Sequence, residues 1–221
     1  DQGVGLGAGD IMVGTDINYQ FIDWKHNPIV DENYNFHHLG TLSATVLSPS
    51  IMIGLTDWWN ISFRQVLGKR YMSWESDSTS KHHRDEGSES NYANAIGGYL
   101  GDSRVMVRFL LLNAGRGSGA RLFFGGGMVI PSGNSLISDP FYLGDSIITD
   151  HRHFGMSEGV YKFIGEMQYF NRDKGPIVTG MVSQFVIPLH TNKYSSKPGT
   201  ELSLTGYCLF QKINLVCYFY N

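Results

Sequence analysis

Apolar and polar residues alternate with a period of two along most of this chain. In DIMVGTDINYQF the odd positions Ile11, Val13, Ile17, Tyr19 and Phe21 are apolar or aromatic, whereas Asp10, Asp16, Asn18 and Gln20 occupy even ones. Successive side chains of a strand point to opposite faces, so each such segment separates two unlike environments. WNISFRQVL sets Trp59, Ile61, Phe63 and Leu67 against Asn60, Ser62 and Arg64. SRVMVRFLLLN sets Val105, Val107, Phe109 and Leu111 against Arg104 and Arg108. ELSLTGYCLFQ alternates Leu202, Leu204, Cys208 and Phe210 with Glu201, Ser203, Thr205 and Gln211.

One stretch, SEGVYKFIGEMQYFNR, fits two periods. At helical spacing Val160, Phe163, Ile164 and Met167 share a face, and Lys162 and Glu166 form an i,i+4 pair. At a period of two, Tyr161, Phe163, Met167 and Tyr169 lie opposite Lys162, Glu166 and Gln168, with Ile164 the single misfit. Gly159 and Gly165 weaken a helix, and no neighbouring segment supports a helical bundle, so the strand reading wins.

The pattern predicts strands near 9–22, 39–54, 59–74, 99–112, 119–131, 157–170, 176–189, 200–211 and 213–220. Two segments fit less cleanly. IVTGMVSQFVIPL is apolar on both faces, and LSATVLSPSIMIG contains Pro49, which belongs at an edge, a bulge or a strand end. Each strand is about as long as, or longer than, the roughly 9–11 residues that a tilted strand needs to cross a bilayer. Strands of soluble proteins average only about 5–6 residues. The connections alternate in length too. Residues 56–58, 113–118, 171–175 and the region of Lys212 are short, whereas 23–38, 75–98, 132–156 and 190–199 are long and rich in Ser, Asn, Asp and His. The expectation is an all-β fold: one antiparallel transmembrane β-barrel over residues 1–221, of roughly 8–12 strands, with short periplasmic turns and long extracellular loops. Aromatics near strand ends, such as Tyr19, Phe21, Trp58, Trp59, Tyr71, Trp74, Tyr169 and Phe170, would form interfacial girdles. The soluble alternative is a β-sandwich with these aromatics in its core.

Composition narrows the classes. The 221 residues carry 27 glycines, 13% aromatics and only 17% charged residues, with net charge −3. That balance favours strands over helices and gives no basic excess for nucleic acid. No segment approaches the roughly 18 consecutive apolar residues of a spanning helix, but a barrel leaves hydropathy low, and mean hydropathy here is −0.16. Asp1 reads as a mature terminus after signal removal, since no leader pattern precedes it. Cys208 and Cys217 lack metal spacing and read as two small apolar residues; a cross-strand bridge would need a tight turn at Lys212–Ile213, a poor turn pair.

Several motifs together resemble one family, the outer-membrane barrels associated with the meta-pathway of phenol degradation, a group in the style of fatty-acid-transporter channels. They are Gly54-Leu55-Thr56-Asp57 before the strand from Trp59; Gly101-Asp102-Ser103-Arg104; Ile130-Pro131-Ser132-Gly133; and Phe154-Gly155 through Gly159. The resemblance spans roughly residues 40–190. It implies a barrel of about a dozen strands in a bacterial outer membrane, passing small hydrophobic or aromatic compounds. The chain departs from the pattern in its nine predicted strands, its terminal Asn221 and its histidine-rich loops.

Two constellations could carry function. Asp16, Arg64, Arg104, Arg108, Arg121, Lys162, Glu166 and Gln168 fall on the polar side of the alternation and would line the lumen. In a barrel of about eight to ten strands such residues pack into a salt-bridged plug; with about a dozen they line a charge-selective pore. The second is histidine. His37, His38, His82, His83, His151 and His153 sit in long loops at one end, where they could meet around a divalent metal with Asp85, Glu86 or Asp150. Exposed loops collect polar residues anyway, so solvated histidines are the competing reading, and no other cofactor is indicated. Enzyme motifs are missing: there is no G-x-S-x-G, no H-E-x-x-H, and GLGAG lacks a surrounding βαβ unit. The sequence therefore reads as a non-enzymatic channel among outer-membrane lipid and lipopolysaccharide. The alternative is a closed barrel that binds a protein, a surface polymer or metal through its loops.

Overall fold

The computed structural model describes residues 5–26, 38–74, 91–92, 98–113, 118–135, 155–193 and 195–210. Eight long strands form one sheet: β1 (Ile11–His26), β2 (His38–Gly54), β3 (Trp59–Trp74), β5 (Leu100–Asn113), β6 (Gly119–Ile130), β7 (Lys162–Arg172), β8 (Ile177–Pro188) and β9 (Glu201–Phe210). The two-residue β4 (Asn91–Tyr92) pairs with β3. The order is β1-β2-β3-β5-β6-β7-β8-β9, and every neighbouring pair is antiparallel. Among the described residues β1 and β9 have one neighbour each and there is no helix. The predicted strand 213–220, its turn and Cys217 lie outside the described residues.

The sheet curls, and register fixes which side chains share each face. On the convex face one row runs Ile11, Ile53, Ile61, Val107, Gly126, Gly165, Phe185, Leu202, each directly opposite the next. A second runs Val13, Ile51, Phe63, Val105, Met128, Phe163, Ile187. Neither row carries a polar side chain. On the concave face side chains reach across intervening strands, as Arg64 of β3 does to Asp16 of β1 and Arg108 of β5 does to Met52 of β2. Met106, Val129, Ile164 and Val186 form its small apolar cluster. Ile164, the misfit of the alternation, thus belongs with the polar residues around it.

Two departures from the predicted strands have local causes. The segment from Ser157 is not extended: Gly159 takes φ +71°, its N–H donates to Ser157 Oγ at 3.0 Å, and β7 starts only at Lys162. Before the turn, the Met156 and Ser157 amides both donate to Asn134 O at 3.0 Å, folding this segment inward at the long-loop end. β1 runs to His26 rather than stopping near residue 22, because pairing with β2 continues to His26↔His38. The apolar segment Ile177–Pro188 is a strand, with its inner Val182 and Val186 packed on β7. Pro49 sits where the β2–β3 ladder skips two positions between Leu47↔Leu67 and Ser50↔Arg64. Proline removes a ladder donor, so an interruption is where it fits. Next to that gap the β3–β5 register shifts between Gln65 and Leu67, and the Gln65 amide fills the irregularity, donating to Val66 O and Gly101 O at 2.8 Å each.

Candidate functional site

The concave face is organised around one carboxylate. Arg108 projects from β5 and Glu166 from β7, and between them on β6 stands Gly125, opposite both in register. A Cβ built on Gly125 would lie 3.3 Å from Arg108 Cγ and 3.3 Å from Glu166 Cβ, so the glycine leaves the gap that lets the two side chains meet over β6. Arg108 Nε donates to Glu166 Oε1 at 2.5 Å and Nη2 donates to Oε2 at 3.4 Å. Gln168 Nε2 adds a bond to Oε1 at 2.7 Å and Gln184 Nε2 one to Oε2 at 3.1 Å. Each carboxylate oxygen therefore receives two donors. Arg108 also donates from Nη1 to Ser62 Oγ at 3.0 Å and rests against Met52 Sδ at 3.7 Å. The side chains of Arg108 and Glu166 are only 8% and 3% exposed. A buried pair avoids the large cost of an isolated charge only when its remaining hydrogen-bonding capacity is met, as it is here.

Around this centre the remaining charges fall into separate groups. Asp16 and Arg64 pair at 2.8 Å on the more open side, toward β1. Lys162, nearly buried, meets Glu158 and, at 3.2 Å, Glu201. Arg64 and Arg104 stand directly opposite each other on adjacent strands. With Arg108, Glu166, Ser50 and Ser62 they line a cavity of about 130 Å³. No family model, curated protein or solved structure matches this chain. The glycine-based resemblance therefore rests on this chain's residues alone.

All eight residues expected on the polar side lie on the concave face, but not as one continuous lining. Asp16, Arg64, Arg104, Arg108, Glu166 and Gln168 form the central group, and Lys162 is held apart in its own pair of carboxylates. Arg121 is at the short-turn end, lining a second cavity of about 290 Å³ with Leu6, Asp57, Trp58 and Leu110. At that end the chain before β1 folds inward. Leu6 N donates to Asn60 Oδ1 at 3.1 Å while Asn60 Nδ2 donates to Leu6 O at 3.2 Å, and Ala8 N reaches Asp57 Oδ1 at 3.1 Å. Gly54 permits the crossing, since a Cβ there would lie far inside van der Waals contact with the Gly7 carbonyl oxygen.

Sequence reasoning missed Gln184, Ser62, Glu201 and the Asn60–Leu6 clasp. Ser62 and Glu201 were already on the polar parity of their strands; Gln184 was hidden in a segment apolar on both faces. The clasp had no sequence signal, because it joins residues 54 positions apart through a backbone amide. Of the proposed metal ligands, His37, His82, His83, His151 and His153 lie outside the described residues, with Asp85, Glu86 and Asp150. His38 opens β2, its backbone opposite His26. Among the described residues no three metal-ligating side chains cluster. His190 bridges the end of β7 and the loop after β8: its Nε2 accepts the Tyr161 N–H at 3.0 Å and its Nδ1 faces Thr191 O at 2.6 Å.

Proposed function

We propose that this chain is a β-barrel of the bacterial outer membrane whose polar interior passes small solutes. The observation that carries this reading is the inversion of the two faces: eight consecutive strands present an unbroken apolar row outward, while the charged network lies inward. A sheet in water has no use for that arrangement, whereas a lipid-facing barrel requires it. The limits of the apolar band support it. Thr45 and Lys69, polar outward residues next beyond Leu47 and Leu67, stand opposite each other, while Gln65, paired with Ser103, is a single polar interruption of the outward positions on β3 and β5. Tyr161 and Tyr169 flank the outward residues of β7. Eight residues at about 3.3 Å, tilted by about 40°, separate these rings by roughly 20 Å along the membrane normal, near the thickness of the apolar belt of such barrels. Outer-membrane lipid and lipopolysaccharide would then be its surroundings, and small hydrophobic or aromatic compounds the cargo that the glycine-motif resemblance suggests.

A second reading has its own support. The nearly inaccessible Arg108–Glu166 network, with chain folded inward at both ends, also suits a sealed barrel whose long loops meet a partner, a surface polymer or a metal. Conductance separates the two. The full chain is refolded into lipid vesicles, insertion is established by protease protection, and current is recorded in planar bilayers with and without zinc. Discrete steps are expected, and zinc block would implicate the loop histidines. Protected insertion without current refutes passage and leaves the sealed barrel; failure to insert refutes both.

A further inference from the structure

We infer that Arg104 is the anchor of an anion site on the concave face, built for a small monocarboxylate. Arg104 stands opposite Arg64 in register. Directly opposed side chains have their Cβ atoms only about 4.5–5.5 Å apart, and like charges so placed destabilise a sheet. Arg64 is offset by Asp16 and Arg108 by Glu166, but among the described residues Arg104 has no carboxylate partner. Among the described residues, three guanidinium groups line the cavity, Glu166 lines it beside Arg108, and Asp16 pairs with Arg64 from outside the lining, which leaves one positive charge. A singly charged guest balances it; a dianion would leave the cavity negative. Ser50 and Ser62 line the same space; the Ser50 hydroxyl donates to Gly14 O, whereas Ser62 Oγ accepts from Arg108 and keeps its proton to donate to the second oxygen of a guest held by the guanidinium fork.

The guest also needs a tail. The cavity of about 130 Å³, at roughly 10–15 Å³ for each water-sized position, has room for a carboxylate with several further heavy atoms. Met106 lines it, giving a soft apolar flank beside the polar groups. As regards transport, the inference rests on the proposed channel and names its cargo class; the site itself needs only the curled sheet.

The test is calorimetric titration of the refolded full chain in detergent micelles with butyrate, butan-1-ol and inorganic phosphate. Butyrate should bind with a stoichiometry of one, more tightly than phosphate, and butan-1-ol, the same tail without the charge, should not bind. Arg104→Gln should weaken butyrate by on the order of tenfold or more, since it removes charge-assisted bonds. Arg104→Lys keeps the charge but loses the planar fork and should weaken it severalfold, which keeps the test decisive if the glutamine variant does not fold. Equal binding of butyrate and butan-1-ol, tighter phosphate, or unchanged affinity in a folded Arg104 variant overturns the site. In planar bilayers the channel should prefer anions, a preference lost in Arg104→Gln; anion preference that survives overturns the site. Butyrate binding without current supports the site and refutes the channel, so the two readings fail separately.

Discussion

Replacing Glu166 by glutamine is the sharpest perturbation of the concave face, because the change is isosteric and only charge and donor pattern are altered. Each carboxylate oxygen accepts from two donors: Arg108 Nε and Gln168 at one, Arg108 Nη2 and Gln184 at the other. Whichever oxygen becomes an amide nitrogen then faces two donors and forfeits two bonds. Hydrogen bonds to charged groups contribute roughly 1.5–3 kcal/mol each, so about 3–6 kcal/mol is at stake. Breaking one side of a buried ion pair costs about 3–5 kcal/mol, in agreement. The assay is urea unfolding of the refolded chain in micelles, followed by tryptophan fluorescence, comparing Glu166→Gln, Glu166→Leu, Arg108→Met and the double variant Glu166→Leu/Arg108→Met. The double variant should recover most of the loss, because two apolar side chains in a buried site remove both charges together. A Glu166→Gln cost below about 1 kcal/mol, or a double variant as unstable as the two single effects added, would refute the claim that this pair organises the face.

Val107→Arg, at the middle of the unbroken outward row, should lower insertion into lipid vesicles by about 2–4 kcal/mol, whereas Ser43→Arg, beyond the level of Lys69, should cost only about 0–1 kcal/mol; equal effects would count against a lipid-facing belt. Asn60→Ala removes both bonds to Leu6 and should cost about 1–3 kcal/mol, with faster limited proteolysis of the chain before β1 as the readout; an unchanged cleavage rate would mean the clasp does not hold that segment. Gly125→Val fills the gap beneath the Arg108–Glu166 bridge and should destabilise by about 1–3 kcal/mol in the urea assay; in the Glu166→Leu/Arg108→Met background the penalty should change, since the neighbours at 3.3 Å differ.

Much of this was legible because strand parity is local. Every residue assigned to the polar side from its neighbours, from Asp16 to Gln168, lies on the concave face. Parity does not say which polar residues meet. That depends on which strands are adjacent and on small residues between them, so nothing at position 125 marked it as the opening for a bridge between residues 58 apart. Strand ends were less legible than strand centres. Ser157–Tyr161 alternates well enough to pass as strand, but the positive φ of Gly159 turns the chain there. β1 outlasts its apolar pattern because the backbone partner, not the side chains, continues the ladder to His26↔His38.

The two faces together also weigh against the soluble alternative. A sandwich would bury Val105, Val107, Phe109 and Leu111 against a second sheet, yet the described residues form one sheet, and the outward Val107 and Leu111 are exposed. The residues that are buried include Arg108, Lys162, Glu166 and Gln168. Turning the sheet inside out to suit water would mean removing these charges from one another and giving each a solvent shell, while packing the outer rows against a layer that the described residues do not supply. With the apolar rows left in lipid instead, neither rearrangement is needed: the charges keep their partners, and the outward residues need only match the hydrocarbon around them. The same sequence pattern is costly in water and consistent in a bilayer, which is why Val107→Arg discriminates better than any substitution on the inner face.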